Sequence, residues 1–198
     1  YGEHDIKIVN IDEAGSIDYI VYGYMNRGIH EGTVGIAVYH YDSLANTNEE
    51  QVFIPSSQSY EVMKSELGQL MYVTESGAFY IMVDGNVYGI DLNSLDTKVL
   101  VEGLSDEAVA ISESNRFLAW VDPSAIRGSG TIHIIDFVTE KVTDVTESTS
   151  DYVKPLGFMQ EDFVYGVAKS ADVVVDAAGN TLFPMYQVKI MDTSSEEH

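Results

Sequence analysis

The chain has 198 residues, 45% of them hydrophobic, which is enough for a sizeable core and excludes an intrinsically disordered protein. Its 32 Asp and Glu against 10 Lys and Arg give a formal net charge of -22, so its surface repels nucleic acids and anionic lipids. The absence of Cys excludes disulfides and Cys nucleophiles, and no apolar run approaches the roughly 20 residues of a transmembrane helix. We therefore expect no nucleic-acid partner and no membrane insertion of this segment.

The first predicted repeat covers residues 6–55. It contains four runs rich in Val, Ile, Tyr and Phe and bounded by turn residues, at 6–11, 18–24, 34–42 and 50–55. This composition predicts strands, and the short turns between them predict an antiparallel meander. The next segment, residues 57–70, carries Tyr60, Met63 and Leu67 at helical spacing after Ser59. We expect a short helix there, with Ser59 as its N-cap.

Two further repeats follow, at residues 70–104 and 107–147. Their openings, YVTESGAFYIMV from residue 72 and AISESNRFLAWV from residue 110, share one pattern at a distance of 38 residues. Such self-similarity is typical of repeat architectures. Within the second repeat, Asp84-Gly85-Asn86 predicts a tight hairpin, because Gly and Asn tolerate positive φ.

The fourth predicted repeat, residues 152–192, is incomplete. It has strand-like runs at 152–158, 163–168 and 186–192, but no fourth run follows them. Residues 193–198 are polar, and we expect this tail to be frayed. Between the second and third runs, the sequence VVVD-AAGN-TLF predicts an inserted hairpin. The third strand of every repeat ends in an aspartate: Asp42, Asp91, Asp136 and Asp192.

The third repeat carries the clearest family pattern. Its features are the turn Ser112-Glu113-Ser114-Asn115, the strand Arg116-Phe117-Leu118-Ala119-Trp120, the strand end Ile134-Ile135-Asp136 and the run Thr139-Glu140-Lys141-Val142. In these features residues 107–147 resemble the repeat of TolB-like β-propellers and of the propellers in prolyl oligopeptidase family enzymes. The match is fair over residues 70–104 and topological elsewhere, and no repeat has the Pro-Asp-Gly turn of that family intact.

The resemblance implies an all-β fold: a single β-propeller-like domain of about four four-stranded antiparallel meander blades. A propeller must hide its terminal sheet edges, yet the last repeat lacks its outer strand. We expect the chain to be part of a larger propeller. Two alternatives stay open: a segment before Tyr1 supplies the strand, or the four repeats pack as an open stack.

Motifs for chemistry are missing from the sequence. Gly128-Ser129-Gly130 lies between two predicted strands, without the strand-turn-helix context of a nucleophile elbow. His133 and Asp136 are three residues apart on one strand and so point to opposite faces. The run from Asp91 to Asp96 has calcium-loop character but lacks the central Gly and the Glu of an EF-hand, and Asx turns explain it equally well. We predict no catalytic residue, no metal site and no cofactor.

Candidate binding residues lie in the loops that join second to third strands, at 25–33, 122–130 and 168–185. In a blade these loops share one face, and loops on a rigid scaffold are where binding usually resides. They carry four cationic or titratable side chains: Arg27, His30, Arg127 and Lys169. We predict that these bind the ligand. The competing interpretation is that they pair with the surrounding acids.

The sequence thus predicts a non-catalytic binding or scaffold module for a protein or glycan ligand. The family resemblance implies a bacterial protein of the cell envelope, secreted or lipoprotein-like, and so extracytoplasmic. The alternative is a propeller accessory domain of a larger hydrolase whose catalytic residues lie outside this chain. A self-contained hydrolase with acidic residues at the propeller centre is the least favoured hypothesis. Oligomeric state is left open by the sequence.

Overall fold

Runs of β-branched and aromatic residues form seventeen strands in residues 3–125 and 127–193, the part of the chain that the computed structural model describes. The chain divides into two units, Tyr1–Val101 and Glu102–His198. The predicted fold class is confirmed, since the chain is all-β and propeller-like and is built from antiparallel meander sheets. Residues 194–198 of the predicted tail lie outside the described residues.

The N-terminal unit contains two four-stranded meanders. Sheet 1 consists of β1 (His4–Ile11), β2 (Ile17–Tyr24), β3 (Val34–Asp42) and β4 (Thr47–Pro55), paired in chain order. Sheet 2 consists of β5 (Met71–Val73), β6 (Ala78–Val83), β7 (Asn86–Asp91) and β8 (Thr97–Val101), again in chain order. Both sheets follow the predicted repeats, and the strand ends differ from prediction by a few residues.

A short helix, α1 (Tyr60–Gln69), connects these two sheets. The Ser59 side chain accepts a hydrogen bond from the Val62 N–H at 3.4 Å, so Ser59 is the N-cap that the sequence predicts. Met63 and Leu67 are buried against the sheets. The predicted helix is confirmed, and it begins directly after the predicted N-cap.

One apolar core holds the N-terminal unit together. It is formed by one face of sheet 1, the buried side of α1 and one face of sheet 2, and its fully buried members include Ile20, Ile36, Met63, Phe79 and Ile81. Burying a side chain of this size contributes roughly 1.5–3 kcal/mol relative to exposure. Apolar residues alternate along the strands, so each sheet has an apolar face, and these two faces pack against each other.

The C-terminal unit contains one complete and one incomplete meander. Sheet 3 consists of β9 (Val109–Ile111), β10 (Phe117–Trp120), β11 (Thr131–Asp136) and β12 (Lys141–Thr146). Sheet 4 consists of β13 (Asp151–Met159), β14 (Asp162–Lys169) and β17 (Met185–Met191), with the separate hairpin β15 (Val174–Val175) and β16 (Thr181–Leu182) between its last two strands. The predicted hairpin insertion is confirmed. Within the described residues sheet 4 has three strands, as the sequence predicts.

The core of the C-terminal unit lies between sheets 3 and 4. Phe117, Ile132 and Ile134 from sheet 3 meet Phe163 and Val167 from sheet 4. These side chains are at most 5% exposed. The tilted pair formed by Phe158 and Phe163, with ring centroids 5.2 Å apart, extends the core toward one end of sheet 4.

Turn residues behave as their sequence predicts. Asp84 and Gly85 have φ of 54° and 69°, so the two-residue loop between β6 and β7 places both central residues at positive φ, as a type I′ hairpin requires. The aspartates that end β3, β7 and β11 each accept backbone N–H bonds from the following turn; Asp42, for example, accepts from Leu44 at 2.8 Å and Ala45 at 2.9 Å. This Asx-turn role explains why an aspartate recurs at that position.

Candidate functional site

Loop 25–33, between β2 and β3 of the N-terminal unit, is closed at its neck by backbone hydrogen bonds. The Met25 N–H donates to the Thr33 carbonyl at 2.8 Å, and the Gly32 N–H donates to the Met25 carbonyl at 2.9 Å. Gly28 and Gly32 both have φ of +88°, a left-handed conformation that glycine adopts without strain. The loop is therefore held in one shape by its own backbone.

Arg27 lies at the exposed tip of this loop. Among the described residues its guanidinium has no hydrogen-bond or ion-pair partner. Ile29, two residues further on, is 87% exposed. The tip thus presents a cation that is unpaired within the described part of the chain beside an exposed apolar side chain, and both are accessible to a ligand.

Unlike the Arg27 side chain, the His30 side chain packs against sheet 1. Its ring stacks on Phe53 with a centroid distance of 3.6 Å, and its Nε2 lies 2.7 Å from Glu50 Oε1. Of the two predicted binding residues on this loop, Arg27 is presented outward, while His30 anchors the loop to the sheet. The anchoring partners lie 20 and 23 positions away in sequence, and no sequence pattern identified them.

Glu50 also joins His30 to an aromatic pair on the sheet. The Tyr39 hydroxyl donates to Glu50 Oε2 at 2.9 Å, and the Tyr39 ring stacks on Tyr19 with centroids 5.3 Å apart. Burial, followed by the hydrogen bond to Glu50, raises the pKa of Tyr39 from 10.0 to about 12. The hydroxyl therefore stays protonated and donates to the carboxylate throughout the physiological range.

Arg127 is exposed on loop 122–130 of the C-terminal unit. Its Nη2 lies 3.4 Å from the carbonyl oxygen of Val173, a long hydrogen bond that links it to loop 168–185. Beside it, Gly128 has φ of +139°, and a Cβ at that position would lie 2.5 Å from the Tyr152 ring. A glycine is thus required for this loop to pass so close to sheet 4.

Lys169 is held in a structural ion pair. Its Nζ lies 2.7 Å from Asp151 Oδ1, and it sits over the Tyr186 ring at 4.7 Å from the centroid. The Asp151 side chain is only 5% exposed, so the ammonium neutralises a nearly buried carboxylate. The hydrogen bond from Lys169, followed by one from Ser148, lowers the pKa of Asp151, and the same pairing raises that of Lys169.

The four predicted residues therefore divide by role. Arg27 and His30 share one loop of the N-terminal unit. In the C-terminal unit Arg127 lies on loop 122–130, whereas Lys169, predicted to lie on a loop, is the last residue of β14, because the strand continues to that position. His30 and Lys169 are paired with acids, whereas the guanidiniums of Arg27 and Arg127 remain exposed. That all four side chains share one face of a propeller stays a prediction.

Residues with potential for chemistry are engaged in local structure. Asp91 Oδ1 accepts the N–H groups of Asn93 at 2.8 Å and Ser94 at 3.0 Å, so the calcium-like run forms an Asx turn. His133 Nδ1 pairs across strands with Asp144 at 2.7 Å, while Asp136 pairs with Arg116. In residues 3–125 and 127–193 no group of three or more His, Asp or Glu side chains is placed to hold a metal ion.

No family model and no curated protein matches the sequence. Among solved structures, the β-propeller domain of the trilobed protease from Pyrococcus furiosus is similar at 13% identity and a TM-score of 0.42, over 100% of this chain and 56% of that one. Acylaminoacyl peptidase from Pyrococcus horikoshii is similar at 12% identity and a TM-score of 0.39, over 100% of this chain and 32% of that one.

A third similar structure is the extracellular domain of a putative one-component system from B. thetaiotaomicron, at 11% identity and a TM-score of 0.36. It is matched over 91% of this chain and 24% of that one. This chain therefore spans about half or less of the length of these three proteins. The assignment of the fold rests on the meander sheets themselves. No helix in the described part of the chain has the length and apolar content to cross a membrane.

Proposed function

We propose that this chain is a non-catalytic binding module that holds a protein or glycan ligand against loop 25–33. The observation that carries the proposal is the exposed guanidinium of Arg27, which has no partner among the described residues and lies beside Ile29 at the tip of a loop closed by its own backbone. The scaffold beneath it, sheet 1, is anchored to the loop through His30.

The chemistry of the loop tip favours a ligand that carries a carboxylate next to an apolar group. A guanidinium can form two parallel hydrogen bonds to a carboxylate, and such charge-assisted bonds are about twice as strong as neutral ones. Because the neck hydrogen bonds already order the loop, binding loses little conformational entropy. Arg127 provides a second exposed guanidinium, in the C-terminal unit, for the same class of ligand.

Location and context form part of the proposal. We place the module outside the cytoplasm, in the cell envelope or secreted, as the resemblance of residues 107–147 implies. The alternative function, a propeller accessory domain of a larger hydrolase, is motivated by the resemblance of residues 107–147 to the propellers of prolyl oligopeptidase family enzymes. The complete gene decides between them: an adjoining hydrolase domain supports the accessory role, and its absence removes that role.

Binding to arrays of acidic glycans and of peptides with free carboxylates tests the proposed site. We expect Arg27→Ala to weaken binding at least about tenfold, because a hydrogen bond to a charged group is worth about 1.5–3 kcal/mol. The matched control is Lys7→Ala, which removes an exposed cation from β1 in the same unit. Unchanged binding by the double variant Arg27→Ala/Arg127→Ala would contradict the site assignment.

A further inference from the structure

Loop 25–33 contains the same kind of backbone turn twice. Gly28 and Gly32 both have φ of +88°. Arg27 and Glu31, the residues that precede them, have negative φ. A residue of negative φ followed by one of positive φ turns successive backbone N–H groups toward one side, and the resulting concavity binds anions or carbonyl oxygens. The two turns differ in what their N–H groups bind.

The second turn, which begins at Glu31, is filled by the loop itself. All three of its N–H groups donate to carbonyl oxygens within the loop: Glu31 to Gly28 at 3.2 Å, Gly32 to Met25 at 2.9 Å and Thr33 to His30 at 3.1 Å. These bonds use every backbone donor of the turn. The second turn therefore has no donor left for a ligand.

The first turn, which begins at Arg27, has no such acceptors. Within the described part of the chain, the N–H groups of Arg27, Gly28 and Ile29 donate to no backbone or side-chain atom. Glu31 carries the only carboxylate in the sequence of the loop, and among the described residues that carboxylate accepts no hydrogen bond. Three consecutive backbone donors are therefore open at the loop tip.

Gly28 differs in this respect from four other glycines of positive φ that lie in loops between strands. Each of those four donates its N–H to the carbonyl oxygen three residues earlier: Gly15 to Asp12, Gly77 to Thr74, Gly128 to Ala125 and Gly179 to Asp176. The carbonyl three residues before Gly28 belongs to Met25, and it accepts the Gly32 N–H instead. Closure of the loop neck thus takes the acceptor that the Gly28 N–H would otherwise have.

The open turn also carries a positive charge. Arg27 supplies both its first backbone donor and an exposed guanidinium that has no partner among the described residues. Backbone N–H groups bind an anion through fixed dipoles, and a guanidinium adds charge-assisted hydrogen bonds in a fork geometry. A Cβ at Gly28 would meet no atom within 4 Å, so the space beside the turn is free. Because the neck hydrogen bonds already order the loop, these donors are in place before a ligand binds.

We propose that the turn of Arg27, Gly28 and Ile29 is an oxyanion-binding site, in which three backbone N–H groups and the guanidinium hold a carboxylate, sulfate or phosphate group of the ligand. The site rests on the proposed function, because it lies at the same loop tip, and it assigns the chemical group that is bound there. Most of its donors belong to the backbone, so binding depends on the conformation of Gly28 as well as on the charge of Arg27. The exposed side chain of Ile29 then contacts the part of the ligand next to the oxyanion.

Amide chemical shifts of the isotope-labelled full chain, titrated with acetate, sulfate and inorganic phosphate, test the site. The titrations keep the ionic strength at about 0.15 M, where the Debye length is about 8 Å and more distant carboxylates of this acidic chain are screened. The amide signals of Gly28 and Ile29 are expected to shift saturably with at least one oxyanion and not with chloride. A response to acetate alone assigns a carboxylate group, and a response to sulfate or phosphate assigns a tetrahedral one. No saturable shift with any oxyanion, or an equal shift with chloride, overturns the proposal.

Gly28→Ala separates the backbone donors from the guanidinium. Alanine disfavours φ of +88°, so the variant distorts the turn while Arg27 keeps its charge, and the anion dissociation constant is expected to rise at least about tenfold. Gly15→Ala is the matched control in the same unit, because Gly15 has φ of +83° and a Cβ there also meets no atom within 4 Å. It should bind the anion like the wild type. Anion binding by Gly28→Ala as tight as that of the wild type would overturn the role of the backbone.

Arg27→Gln provides the complementary variant, because it removes the charge and keeps the backbone turn. We expect the anion dissociation constant to rise about tenfold, with the Gly28 and Ile29 amides still responding at high anion concentration. Unchanged amide signals of sheet 1 show that each variant is folded. Array ligands that bind a chain whose amides ignore every oxyanion would overturn this site and leave the proposed function standing. An amide response combined with unchanged array binding by Arg27→Ala/Arg127→Ala would do the reverse.

Discussion

The same Asx-turn role is filled by three aspartates, Asp42, Asp91 and Asp136, but the residues around them differ. All three accept backbone N–H groups of the following turn, and these bonds lower the pKa of Asp42 and Asp91. At Asp136 burial acts to raise the pKa, but hydrogen bonds from Arg116 and the Val138 N–H outweigh it and lower the pKa overall. Arg116 binds this carboxylate in a bidentate manner, with Nε at 2.9 Å and Nη2 at 2.8 Å.

Asp136→Asn is expected to destabilise the protein by about 1–2 kcal/mol, because it removes the bidentate, charge-assisted pair with Arg116. The figure stays at the low end since Arg116 is 42% exposed and water screens the pair. Urea unfolding measures the loss. Asp42→Asn, which has no arginine partner, is the control, and equal losses in the two variants would contradict the assigned role of Arg116.

At the scale of elements, α1 stabilises the neighbouring hairpin of sheet 2. Glu66 on the helix accepts the Asp84 N–H at 2.8 Å and the Gly85 N–H at 3.1 Å, so both donors of the tight turn are satisfied. The Asp84 side chain in turn accepts bonds from Ser56 and Ser57 in the segment before the helix. These bonds tie the segment that links sheets 1 and 2 to the end of sheet 2.

Glu66→Ala is expected to cost about 1–3 kcal/mol, because two partly buried backbone donors lose a charged acceptor. Glu61→Ala is the matched control on the same helix, where the side chain is exposed and contributes only about 0.3–1 kcal/mol through the helix dipole. Hydrogen exchange provides the site-specific readout: the amides of Asp84 and Gly85 should lose protection in Glu66→Ala alone. Retained protection would show that the turn is held by other contacts.

At the scale of the whole molecule, stability is expected to be lost at both extremes of pH. The pKa of Glu147 is lowered from 4.5, chiefly by its hydrogen bond from Lys189, and that of Asp151 is lowered from 3.8 by Lys169. Carboxylates with a lowered folded pKa stabilise the protein above their unfolded pKa values. That contribution disappears as the pH falls through the folded values, so the acid limit lies below about pH 4.

At alkaline pH the stabilising groups are tyrosines whose pKa values are raised in the folded protein. Burial, and then hydrogen bonds to Glu50 and Glu147, raise the pKa values of Tyr39 and Tyr165 from 10.0 to about 12. A raised tyrosine pKa favours folding below pH 10, and the contribution is lost as the pH rises from 10 to about 12. Thermal melts from pH 7 upward should show this decline, and Tyr39→Phe/Tyr165→Phe should flatten it. An equally steep decline in that variant would assign it to other groups.

The residue pattern determined the local architecture of this protein. Strand positions, the Asp84-Gly85 hairpin, the Ser59 cap and the three-stranded last sheet are all readable from sequence, because each depends on residues within a few positions of one another. The recurring Asp is also readable from sequence, because its hydrogen bonds join it to residues only two or three positions away.

Tertiary structure alone decided which side chains of the candidate site have partners within the protein. His30 binds Glu50 and Lys169 binds Asp151, partners that lie 18 or more positions away and that the register of the sheets brings together. Arg27 has no such partner among the described residues. Tertiary structure also decided which sheet faces are covered. Val188 and Ile132 each lie four positions before the recurring aspartate of their repeat. Ile132 is fully buried in the core between sheets 3 and 4, whereas Val188 is 56% exposed.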